Sequence, residues 1–166
     1  MRGWTLGQGS VIRPAEVNWH MVFVNFPGGA RSLVVGPWTT AGTAAWGEGA
    51  EILWVKFKLG AFMPHLPTKK YRDGELSLPE ASSSGRFWLK SAAYEVPDFE
   101  NVETFIDRLA RAEELVRDPV VHAALEDQLS EIPARTVRHR FLQATGLTRS
   151  YIRQFERAKR AADLLR

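Results

Sequence analysis

The chain changes character once, near Asp98. Before that point Gly and Pro cut the sequence into short β-rich runs, and after it apolar residues recur at spacings of three and four. A strand-rich stretch followed by a helix-rich one predicts an α+β fold: a small sheet or partial barrel, then helices. "HMVFVNF" (His20–Phe26) reads as a strand that stops at Pro27-Gly28-Gly29. Residues 31–40 read as a second strand, broken by Gly36-Pro37, and residues 43–58 supply two more around Gly47 and Gly49. Within 53–59, Leu53, Val55, Phe57 and Leu59 alternate with Trp54, Lys56 and Lys58, which predicts one buried and one partly wet face. Residues 68–86, with their basic corner and "SSSG", read mostly as loop.

Past Asp98 the periodicity is helical. Val102, Phe105, Ile106, Leu109 and, with a drift, Leu115 and Val116 form one apolar stripe, with Asp98 or Asn101 as N-cap and Pro119 beyond the end. Such a stripe packs on the β region or pairs with a second copy of the chain. A short helix over "PVVHAALEDQLSEI" follows, and Pro133 suits the first turn of the next. In "ARTVRHRFLQATG" the inward face is Val137, Phe141 and Ala144, while Arg135, Arg138 and His139 point away from it. Gly146 is placed to end that helix in the left-handed conformation with Leu147 packing back. Thr148 can cap a longer helix whose apolar positions are Ile152, Phe155, Ala158, Ala162 and Leu165.

Charge is segregated. Residues 135–166 carry nine Lys and Arg against Glu156 and Asp163, a net +7, while residues 1–134 carry 13 basic and 17 acidic residues, a net −4. A cationic end suits a partner with repeated phosphates, and it equally suits a solvated helix face. The chain has no Cys, which excludes disulfides and thiolate metal sites. It also has no apolar run fit for a signal peptide or a membrane span, so a cytoplasmic protein without a membrane partner is expected.

Catalytic patterns are missing from the sequence. His20, His65, His122 and His139 are scattered, with no His-x-His pair to converge on a metal. There is no nucleophile elbow, and "GEGAEIL" lacks the Lys of a phosphate cradle. Glu113 and Glu114 are adjacent on a helix and cannot face one substrate. No enzyme activity, metal or cofactor is expected. Of the six Trp, Trp19, Trp38, Trp46 and Trp54 fall in the β region. There Trp19, Trp38 and Trp54 are the candidates to line a ligand pocket, with His20 and Lys56 as its polar groups. The plainer reading makes them core and edge cover. His65, between prolines, reads as a satisfied loop histidine.

The stretch "RTVRHRFLQATGLTRSYIRQFERAKRAADLLR" resembles the first helix-turn-helix and linker helix of AraC-family transcription regulators, on Phe141, Gly146, Leu147, Thr148, Tyr151 and the Arg157-Ala158 pair. "LVVGPWTT" with "ILWVKFKLGAF" is similar to the cupin-like sensor domains of one branch of that family, and "WLKSAAYEVPDFENVETFIDRLARAEELVRDPVV" to its helical connector. Glu131-Ile132-Pro133 stands where the family's tight turn carries Gly. The family pattern continues into a second helix-turn-helix that these 166 residues do not include. The resemblance implies three regions: a β-rich sensor or dimerisation region at 1–97, a helical connector at 98–119, and a helix-turn-helix with linker helix at 120–166. It implies transcription regulation through double-stranded DNA, with a small-molecule effector and a homodimer as further candidate partners. Arg135, Arg138 and His139 would then read bases, as Arg is suited to guanine edges in the major groove, and Arg140, Arg149 and Arg153 would hold phosphates. The alternatives are a ligand-binding or dimerising protein without DNA binding, and a small-molecule enzyme of unrecognised site.

Overall fold

The computed structural model describes residues 2–4, 9–81, 85–128 and 132–165. It is a mixed α and β chain in which all the strand pairs are antiparallel. The β part comprises β1 (Arg2–Trp4), β2 (Gly9–Arg13), β3 (His20–Phe26), β4 (Gly29–Val35), β5 (Gly42–Trp46), β6 (Glu51–Lys56) and the short β7 (Ala61–Phe62). A 3-10 turn (Thr68–Lys70) follows, then β8 (Glu75–Ser77), β9 (Arg86–Leu89) and β10 (Ala92–Glu95). The helical part holds α1 (Val102–Arg111), the short strand β11 (Val116–Arg117), α2 (Pro119–Leu125), α3 (Ala134–Thr145) and α4 (Arg149–Leu164).

Five strands form one sheet in the order β1-β6-β3-β4-β8. The central strand, β3, is buried on both faces over its first four residues, which is why its sequence is apolar almost throughout. β2 and β5 form a separate ribbon, and β9 and β10 a hairpin. The four strands expected between residues 20 and 58 are present, but residues 68–86 are more than loop. Leu76 pairs with Val34, so β8 extends the sheet, because backbone groups laid against the open edge of β4 are satisfied there. The "SSSG" reading falls on 82–85, of which 82–84 lie outside the described residues.

The stripe beyond Asp98 also needs correction. α1 ends at Arg111, well before Pro119, because Glu113 turns left-handed (φ 54°) and the amides of Glu114 and Leu115 both donate back to the Leu109 carbonyl. Leu115 and Val116 therefore leave the helix, and Val116 and Arg117 pair with Phe62 and Ala61. Pro119 opens α2 rather than closing α1. Asn101 occupies the N-cap position, and Asp98 braces the approach by accepting from the amides of Glu100 and Asn101. The stripe packs inward, with Phe105 and Leu109 buried against Phe23, Phe87 and Tyr94, so the connector at 98–119 shares one core with the sheet. That face is already covered and is not open to a second copy.

A second core joins the helices to the β part. Val120, Val121 and Ala124 of α2, Val137, Phe141 and Ala144 of α3, Leu147 and Ile152 pack with Val17, flanked by Leu59 and Phe62. Two hydrogen bonds tie the same junction: Thr68 Oγ1 donates to the Ala144 carbonyl (2.9 Å), and Tyr151 Oη donates to the Thr39 carbonyl (3.1 Å). Among the described residues no helix is long and apolar enough to cross a membrane.

Candidate nucleic-acid interface

The outward face of α3 follows from its period. Val137, Phe141 and Ala144 are buried on one side, so Arg135, Arg138 and His139 emerge on the other, exposed. None of the three forms an ion pair among the described residues, and a guanidinium without a partner is a donor set still open to a ligand. Pro133 sits in the N-cap position (φ −55°, ψ 134°) and Ala134 begins the helix. At the other end Gly146 is left-handed (φ 70°), and its amide donates to the Leu142 carbonyl. Leu147 is buried, and Thr148 Oγ1 accepts from the Tyr151 amide to start α4, as the sequence predicts.

The cations expected on phosphate are placed differently. Arg140 Nε donates to Asp118 Oδ2 (2.8 Å), while Asp118 Oδ1 caps α2 by accepting from the amides of Val120 and Val121. One buried carboxylate thus holds a helix start and a cation of the next helix. Arg149 and Arg153 both donate through Nη2 to Asp127 Oδ1. Neither Asp118 nor Asp127 stands out in the sequence as a site residue. The only signal for them was the Asp-Pro step that marks a helix start and the acidic cluster around 126–127. Along α4, Arg149, Arg153, Arg157 and Arg160 line a surface groove with Ser150, Gln154 and Glu156. The apolar stripe read for α4 is only half used: Ile152 is buried and Phe155 half-buried, whereas Ala158, Ala162 and Leu165 are exposed. The body of the molecule ends before the helix does.

The three tryptophan candidates have different surroundings. Trp19 is a core residue, 2% exposed, stacked on Phe57 at 4.0 Å with its indole N–H donating to the Ala61 carbonyl. A ring packed and satisfied in this way has no surface left for a ligand. Trp38 lies under the Arg13 guanidinium, 3.5 Å from the ring centroid. Trp54 meets His20 edge-on at 6.1 Å. Neither the α4 groove nor the shallower depression beside Trp46 is lined by any of these three.

His20 and Lys56 do come together, on Glu16: His20 Nε2 lies 2.9 Å from Glu16 Oε2, and Lys56 Nζ reaches Oε1. Burial pushes His20 from its ordinary 6.5 down to about 4, so it is neutral at neutral pH. Burial, and secondarily Lys159 of α4, lower Lys56. His65 faces Glu114 (Nδ1 to Oε2 3.1 Å), and burial lowers it too. A base whose folded pKa is depressed contributes stability that is complete above its unfolded value. That contribution is lost as pH falls from about 6.5 through about 4. Denaturant titrations across this window are expected to show a shallower loss for His20→Gln than for the parent, and parallel curves would contradict the assignment.

Among the described residues no group of three or more His, Cys, Asp or Glu is arranged to hold a metal ion. No protein-family model, curated protein or solved structure matches the chain.

Proposed function

We propose that this chain is a DNA-binding transcription regulator of the AraC type, with a cupin-like β region preceding a helix-turn-helix made by α2 and α3 and a linker helix, α4. The observation that carries the reading is the outward face of α3, where Arg135, Arg138 and His139 stand exposed and without ion pairs among the described residues. Arg and His on the exposed side of a buttressed helix are the side chains a major groove accepts, and Arg reads guanine through two parallel hydrogen bonds. The β part, joined to α4 by the Tyr151–Thr39 hydrogen bond, is the region through which an effector would act.

The test is a salt titration of two variants on a selected site and on random duplex. Arg138→Ala is expected to lose about 1–3 kcal/mol on the selected site and to relax discrimination there. Arg153→Ala is expected to weaken every duplex alike and to reduce the slope of log K against log salt by about one. Equal losses for both variants on every sequence would reject α3 as the reading helix. Absence of binding by the parent at low salt would reject DNA binding altogether.

A further inference from the structure

Asp127 makes an unusual contact for an exposed acid. A single oxygen, Oδ1, accepts from the Nη2 groups of both Arg149 and Arg153, one turn apart on α4. Two guanidinium groups so close repel each other unless an anion lies between them. As a brace the contact contributes little, because Asp127 is 67% exposed and surface ion pairs are screened by solvent. Nor is the groove beyond it suited to an apolar ligand. It has a volume of about 610 Å³ and is lined by Arg149, Ser150, Arg153, Gln154, Glu156, Arg157 and Arg160, without one apolar side chain. From Arg149 to Arg160 the helix rises about 16 Å, enough for a run of anionic groups rather than a single one.

We infer that Asp127 occupies the seat of a nucleic-acid backbone phosphate. The α4 groove is a phosphate track whose first position is filled by the protein's own carboxylate in the free state and given up on binding. The inference rests on the DNA-binding reading above and adds regulation to it. A phosphate oxygen makes the same demand on two forked guanidinium groups as Asp127 Oδ1 does, and neighbouring phosphates would meet Arg157 and, in exchange for its 3.9 Å pair with Glu156, Arg160. The seat carries two cations to one anion, so the groove still attracts a polyanion while Asp127 sets a threshold against it. Duplexes that engage only the groove must displace the carboxylate unaided, whereas a site that also engages α3 has additional contacts to offset it. Asp127 thereby favours discrimination over raw affinity.

Asp127→Asn is the clean variant. Asp127 adopts a left-handed backbone (φ 59°) just past α2, and Asn accepts that conformation as readily as Asp does. Glu126→Gln removes the same charge from the neighbouring residue, which pairs with His122 and not with α4, and it serves as the control. On random-sequence duplex at low salt, Asp127→Asn is expected to bind about tenfold more tightly than the parent, with a slope of log K against log salt steeper by about one. The control is expected to change by less than about threefold. Inorganic pyrophosphate is expected to raise the melting temperature of Asp127→Asn more than that of the parent, a readout independent of DNA. Equal gains for Asp127→Asn and Glu126→Gln would overturn the seat, leaving only a change in net charge. Duplex binding by the parent with no gain in Asp127→Asn would overturn it while sparing the DNA-binding reading. If no protein bound duplex, the DNA-binding reading and the nucleic-acid seat would fall together, and a pyrophosphate effect confined to the variant would leave only a small-anion site.

Discussion

Replacing Phe141 with alanine is expected to destabilise the protein by about 3–5 kcal/mol, the range for deleting a fully buried aromatic ring. Phe141 is 1% exposed and sits where α2, α3 and α4 meet, in the core formed by Val120, Val121, Ala124, Val137, Ala144, Leu147 and Ile152. Nothing nearby can refill the space easily. The neighbours are small or branched residues on three helices, and α3 is pinned at its C-terminal end by the Thr68–Ala144 hydrogen bond. Thr145, whose Oγ1 donates to the Phe141 carbonyl (2.8 Å) and accepts from the Leu147 amide, holds the turn into α4 in the same place. The variant should therefore loosen the helical unit without any change to an exposed cation, and on the DNA-binding reading proposed above duplex affinity would fall with it. Thermal melts followed by circular dichroism check this, and a variant that melts with the parent would contradict the packing.

Gly36→Ala is expected to be comparably damaging, by about 3–5 kcal/mol once overpacking and two lost hydrogen bonds are combined. A Cβ at position 36 would lie 1.8 Å from the Tyr71 carbonyl oxygen and 2.6 Å from its carbon, and both are backbone atoms. A flexible side chain could step aside, but this backbone is held. The Gly36 amide donates to the Gly74 carbonyl and the Asp73 amide to the Pro37 carbonyl. Asp73 Oδ1 accepts from both the amide and the hydroxyl of Thr39. Tyr71 itself is buried, edge-on to Trp19. Forcing 71–74 outward would open this clamp, and with it the Thr39 carbonyl that receives Tyr151 of α4. A substitution in the β part is thus expected to disturb the helical part as well. Denaturant unfolding of the variant measures the first effect, and protection of the Tyr151 amide in hydrogen exchange measures the second. An unchanged midpoint would show that the contact yields.

Local patterns determined a good deal without the structure. The Gly and Pro breaks lay near the ends of β3, β4, β5 and β6, since Gly weakens a strand interior and Pro cannot donate to the ladder. The 3.6-residue period assigned Val137, Phe141 and Ala144 to the core and turned Arg135, Arg138 and His139 outward. Gly146 and Thr148 located the turn between α3 and α4, because ending one helix and capping the next are chemistries of single residues. Contacts between distant segments were decided only in three dimensions. β8 exists because β4 offers an open edge, not because "ELS" is a strong strand former. α1 stops at Arg111 because the chain must turn for Val116 and Arg117 to reach β7, a pairing across more than fifty residues. Trp19 became core rather than pocket because Phe57, just past β6, stacks on it and the Ala61 carbonyl of β7 accepts its indole N–H. Arg140, Arg149 and Arg153 look like free cations in sequence, and it is the approach of Asp118 and Asp127 from the α2 segment that gives them partners. A side chain's direction is set by its own helix or strand, and its partner is set by whatever the rest of the chain brings within reach.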